Sequence, residues 1–181
     1  MRSRKRLLAL LLILATGGCA DADGRTYEVV EPEDLGVEHL SPEAVEAIVA
    51  GTEDPPRYSS VPATSGPHAP APTPCGIFRQ EVPEIFNVHT LEHGAVIFYY
   101  QPDSVSADEL SELEDLGREL ATHVIVMPYA ALEAPLAMVA WTRLAELDQI
   151  DFEAARSFWG EFAQRGPESG IPCDVTVDEG G

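Results

Sequence analysis

The sequence predicts an α+β fold: one small domain with a three- to four-stranded mixed sheet, two packed helices and a long proline-rich loop. Three observations lead there. An apolar run at 94–100, an amphipathic stretch at 106–121 and a second apolar run at 123–127 follow one another closely. A third apolar run at 136–142 comes next, then an amphipathic stretch at 151–164. Before all of these, residues 58–83 are dominated by proline and small side chains, a loop length that is uncommon inside a compact domain.

Taken in order, the chain begins with a basic head, Arg2, Arg4, Lys5 and Arg6, followed by an apolar run from Leu7 to Ala15 and then Thr16-Gly17-Gly18-Cys19. That is the three-part plan of a secretory signal peptide, too short for a stable membrane span. The small residues before Cys19 resemble a bacterial lipobox, with Thr16 where leucine is usual. The expectation is a lipoprotein-type signal over 1–18 and a lipid anchor on Cys19. Ala20-Asp21-Ala22 is a rival cleavage site, and either cut sends the protein out of the cytoplasm. Location is thus expected to be periplasmic or otherwise extracytoplasmic, with the membrane as a partner through the lipid.

Residues 19–57 read as an acidic tether, broken by one short helix. Ser41 is its N-cap, Pro42 sits in the first turn, Ala44, Val45, Ala47 and Ile48 form one face, and Gly51 stops it. His39 precedes that cap and reads as an exposed tether histidine. The domain is placed at 58–175, about the size one core can fill, and residues 176–181 form a tail. No internal repeat and no second domain are evident.

Within the domain, 94–100 reads as a strand ending at Gln101-Pro102. Ser104 or Ser106 caps a helix with Leu110, Leu113, Leu116 and Leu120 on one face. The next strand, 123–127, stops at Pro128-Tyr129. A crossover of that length makes the two strands parallel, with a right-handed connection. The strand at 136–142 returns antiparallel, and the helix over 151–164 carries Phe152, Ala155, Phe158, Trp159 and Phe162.

Charge narrows the partners. The chain has 11 Lys+Arg and 31 Asp+Glu. Four of the basic residues lie in the leader, so beyond residue 18 seven face 31, a net of −24 with no lysine. Such a surface repels phosphate backbones, which disfavours nucleic acid, and attracts cations diffusely. No protein partner is identifiable. Of the three cysteines, Cys19 is assigned to lipid, which leaves Cys75 and Cys173 as a pair. In an oxidising compartment the expectation is a bridge; the alternative is a buried thiol at Cys75 and a loose one at Cys173.

The chemistry concentrates at Val88-His89-Thr90-Leu91-Glu92-His93-Gly94. In a strand, His89 and His93 would stand about 13 Å apart, too far to share an ion. On a helix or tight turn, positions i, i+3 and i+4 share a face, which brings His89, Glu92 and His93 together. Gly94 is suited to end such a turn before the strand. His68, after Gly66-Pro67, supplies a third imidazole if the proline loop folds back, with Glu92 or His123 as a fourth ligand. Imidazole suits zinc and copper, and Met127 would favour copper, although it reads first as a strand-end apolar residue. The competing reading is a hydrogen-bonded histidine network that pins the loop, with Glu92 orienting one ring. His89 to His93 also fits H-x-x-E-H, a zinc-hydrolase pattern, but Gly94 and a strand follow where that pattern needs its helix to continue. No catalytic residue is assigned.

Pro55-Pro56, Thr64-Ser65-Gly66-Pro67-His68, Cys75-Gly76-Ile77-Phe78 and Val88 to Gly94 together resemble the signature of the bacterial domain-of-unknown-function family 3105. Pro128-Tyr129, Ala140-Trp141-Thr142 and Pro172-Cys173 are similar to it as well, so the resemblance spans roughly residues 35 to 175. Arg79-Gln80 departs from the more acidic turn expected after Phe78. The resemblance implies an exported or membrane-anchored protein with a site on His68, His89, Glu92 and His93, and no established activity.

Overall fold

A computed structural model describes residues 26–175. The leader, Cys19 and the tail at 176–181 lie outside the described residues. The elements run β1 (Val37–His39), α1 (Pro42–Val49), β2 (Gly66–His68), β3 (Gly76–Ile77), α2 (Glu84–Glu92), β4 (Val96–Tyr100), α3 (Ala107–Leu120), β5 (Val124–Pro128), β6 (Leu136–Ala140), β7 (Arg143–Leu147) and α4 (Phe152–Phe162).

The class is α+β in a single domain, and the sheet is larger than expected. Five strands lie in the order β3-β5-β4-β6-β7. β4 and β5 are parallel, joined through α3, while β6 returns antiparallel to β4. The missed strand β7 pairs antiparallel with β6 through a two-residue turn at Trp141-Thr142, where Thr142 takes φ +55°. Four helices are described rather than two, and a second, two-stranded parallel sheet joins β1 to β2.

The central strands read as unbroken apolar runs because both faces of the sheet are covered. One face presents Val96, Phe98, Val124, Val126, Leu136 and Met138 to α3 and α4, whose Leu113, Leu116, Ala155 and Phe158 are buried there. The other face presents Ile97, Tyr99, Ile125, Met127, Ala137 and Val139 to Leu91 of α2, Cys75 and Leu132. Met127 therefore packs in the core, with Asn87 Nδ2 3.5 Å from its sulfur. α3 starts at a complete capping box: the Ser106 side chain accepts from Glu109 N, and the Glu109 carboxylate accepts from Ser106 N.

One correction concerns the first half of the chain. From residue 26 the expected tether is folded onto the domain. Tyr27 is buried, Val30 bridges Leu144, and β1 pairs with β2 in the register Val37↔Gly66, Glu38↔Pro67, His39↔His68. The short helix expected after Ser41 is α1, and Ser41 Oγ accepts from Ala44 N at 3.2 Å. The proline-rich loop is pinned along α2 by more than His68 and Cys75. Ala69 N donates to Ile85 O, Thr73 N to Phe86 O, Thr90 Oγ1 to Thr73 O, and Thr73 Oγ1 to Asn87 Oδ1. A buried loop must satisfy its backbone in this way.

Cys75 and Cys173 lie at bonding distance, 2.07 Å between sulfurs, across a sequence separation of 98. The bridge fastens the C-terminal stretch to the proline loop. That stretch also joins the start of β5, where Cys173 O accepts from His123 N and Val175 N donates to Ala121 O.

Candidate metal centre

α2 gathers the site because its last turn is buried against the proline loop. Seven of its nine residues are buried, including the polar Asn87, His89, Thr90 and Glu92. His89 and Glu92 sit three apart on the helix and His93 is its C-cap, so all three share one side. The helix ends there: Gly94, at φ +90°, turns the chain into β4. The H-x-x-E-H pattern therefore has a helix up to Glu92 but none beyond His93.

His68 arrives from β2, fully buried. Its Nδ1 lies 2.8 Å from the Gly66 carbonyl oxygen, which can only accept, so Nδ1 carries the proton. In a neutral imidazole that leaves a bare lone pair on Nε2, and Nε2 stands 3.0 Å from Glu92 Oε2. Neither atom has a hydrogen-bond partner among the described residues. The contact is an ion pair only if Nε2 takes a second proton, and burial pushes the His68 pKa below the usual imidazole value. With His68 neutral and Glu92 ionised, two acceptors face each other in a buried position, which is costly unless a proton or a metal cation joins them.

His89 shares the carbonyl contact. Its Nδ1 donates to Ala69 O at 2.7 Å, which leaves its Nε2 to accept from His93 Nε2, 3.0 Å away. Metal-binding histidines commonly donate the second ring N–H to a backbone carbonyl in this manner, which fixes tautomer and ring plane. His93 Nε2 also lies 3.3 Å from Glu168 Oε2. The His93 pKa is lowered as well, by burial first and by neighbouring His89 second.

Two residues of the cluster were not expected from the sequence. His39 is no free tether histidine: its β1 register beside His68 puts its Nε2 3.8 Å from Glu92 Oε2, and its ring stacks on His89 at 5.3 Å. No pattern in three residues of strand announces that pairing. Glu168 is one acidic residue among many, delivered by a loop that presses on the end of α2. Glu168 N donates to Glu92 O at 3.0 Å and Gln164 N to Gly94 O at 2.7 Å. A Cβ on Gly166 would fall 2.0 Å from Glu92 O and 2.6 Å from Gly94 N. Gly166→Ala should therefore lift this loop from α2 and lower the melting temperature; an unchanged melting curve would contradict the tight seating.

His123, expected as a candidate fourth ligand, is elsewhere. Its Nδ1 meets Thr122 Oγ1 at 2.8 Å and its Nε2 meets Ile171 O at 3.0 Å, so it fastens the C-terminal stretch. Among the described residues, the donors that do converge form two overlapping sets, His39, His68, His89 and Glu92, and His89, Glu92, His93 and Glu168. Within each set every ligand atom lies within 4.8 Å of the others. Ligands of one tetrahedral ion with bonds of 2.0–2.1 Å stand roughly 3.3 Å apart, close to the 3.0 to 3.8 Å contacts here.

No curated protein and no solved structure matches the chain. A family model described as "Protein of unknown function (DUF3105)" matches residues 51–175. That span includes β2 to α4, and five of the six cluster residues, all but His39. With more than two thirds of its length inside the match, the chain belongs to the DUF3105 family of proteins of unknown function.

Proposed function

We propose that this protein is a metal-binding module of the cell envelope, exported and lipid-anchored, that holds zinc or copper in its histidine cluster. The observation that carries the reading is Nε2 of His68 against Glu92 Oε2, both buried and both without a hydrogen-bond partner among the described residues. Hydrogen bonding of Nδ1 to carbonyls at His68 and His89 prepares two Nε2 lone pairs for a cation. Imidazole-rich donor sets suit zinc and copper, and two carboxylates balance the ion's charge. The acidic surface raises the local concentration of cations and keeps nucleic acids away.

Titration of the metal-free protein with zinc or copper tests the proposal. Tight binding that weakens in His89→Ala is the expected result. Weak uptake of several ions, the same in wild type and variant, would mean that surface carboxylates alone collect them.

A second reading rests on the same carbonyl hydrogen bonds. The histidines form a clamp, in which His68 and His89 hold the proline loop through Gly66 O and Ala69 O. Under it, His89→Ala lowers stability in the presence of a chelator and metal adds nothing to wild type.

Export rests on the leader sequence and on the Cys75–Cys173 bridge, which fits an oxidising compartment. None of the described helices is long and apolar enough to cross a membrane. Lipid attachment at Cys19 is supported by the small residues Thr16-Gly17-Gly18 that precede it. Mass analysis of the membrane fraction should find an acylated N-terminal cysteine; a mature chain starting at Asp23 would refute it.

A further inference from the structure

We infer that the histidine cluster is a two-ion centre bridged by Glu92, with His39 and His68 on one ion and His89, His93 and Glu168 on the other. The inference rests on the metal reading above and adds to it the number of ions and the ligands of each.

The distances divide the six donors into two groups of three. His68 Nε2 and His39 Nε2 gather round Glu92 Oε2 at 3.0 and 3.8 Å. His89 Nε2 and Glu168 Oε2 gather round His93 Nε2 at 3.0 and 3.3 Å. Both trios have separations suited to ligands of a common ion. The two possible four-donor sets overlap at His89 and Glu92, and the chemistry of those two residues decides how the overlap resolves. His89 has its Nδ1–H committed to Ala69 O, so it owns one lone pair and serves one ion. A carboxylate has two oxygens and can bind two ions at once, so Glu92 is the shared ligand.

Charge and access follow the same division. Each trio contains one carboxylate, so neither ion sits among neutral ligands only. Each also has one half-exposed member, His39 at 50 % and Glu168 at 58 % side-chain exposure, while the rest are buried or nearly so. Each ion therefore has its own ligand facing solvent through which it enters. A carboxylate-bridged pair of this type holds its ions about 3.5–4 Å apart. A single ion in the His39 set would instead leave His93 and Glu168 as a plain hydrogen-bonded cap.

The test is metal content. Metal-free protein is loaded with excess zinc, desalted and measured for zinc per chain, beside Glu168→Gln, His93→Ala and His39→Ala. Glu168 is exposed, so its substitution leaves the fold intact and isolates the ligand effect. Two zinc per wild-type chain, falling to one in Glu168→Gln and in His93→Ala, is the expected result. Copper(II) supplies a second readout, because paired ions couple magnetically and an isolated ion gives an ordinary axial resonance. One ion per chain, unchanged in Glu168→Gln and without coupling, would overturn the pair and leave the metal reading standing. No retained zinc in wild type would sink both. Two or more zinc per chain, none lost in any variant, would assign the ions to surface carboxylates and overturn the pair as well.

Discussion

If the cluster holds a metal as proposed, His68→Ala should weaken zinc or copper binding by about 100-fold or more, because even partners behind a ligand contribute 10- to 100-fold and His68 would be a ligand itself. The substitution removes the one fully buried imidazole and leaves Glu92 Oε2 with nothing to share. Circular dichroism of the metal-free variant checks that the loop still folds. Acidity gives an independent handle on the same groups. Protons compete for the Nε2 lone pairs, and burial lowers the His68 and His93 pKa values. Affinity should therefore hold at neutral pH and fall only below about 6.5, the ordinary imidazole value. Stability of the metal-free protein should move in the same direction. The unfolded chain takes up these protons at about 6.5 while the native state resists them, so stability is lost as pH drops below that value. Affinity that declines already between pH 8 and 7 would contradict the account.

Cys75→Ser should be the most destabilising single change outside the cluster. Its bridge closes a 98-residue separation, which on the chain-entropy account contributes roughly 4–5 kcal/mol. In a protein of this size that corresponds to a fall of about 10–20 °C in melting temperature. Cys173→Ser should match it, and the double substitution should add little, since both remove the same bond. Thiol labelling of the denatured, unreduced protein should find neither cysteine reactive. Two labelled thiols at 75 and 173 would remove the bridge from the account.

What the sequence made legible were elements with one dominant signal. β4, β5 and β6 are apolar runs between turn residues, and α1 and α3 announce themselves by Ser41 and Ser106 at their caps. Of α2 only the end was legible, as a helix or tight turn at 89–93; the rest escaped because the helix is buried on almost every side and no polar face marks a helical period. β7 escaped because its turn uses Trp141-Thr142, not the Asn-Gly or Asp-Gly pairs that advertise a hairpin. The site divides on the same principle. His89, Glu92 and His93 are readable because their spacing in sequence is their spacing in space. His68 needs the proline loop to fold back, which the resemblance implied. His39 depends on the pairing of two three-residue strands, and Glu168 on a loop seated by Gly166. Both are long-range facts that no local pattern encodes.

The central claim is that histidine nitrogens of this cluster ligate a metal. X-ray absorption at the zinc edge of the loaded protein measures that directly. The account predicts a first shell of nitrogen and oxygen at about 2.0–2.1 Å, with the outer-shell scattering of at least two imidazoles, reduced in His68→Ala. An oxygen-only shell without imidazole scattering, identical in wild type and His68→Ala, would contradict it.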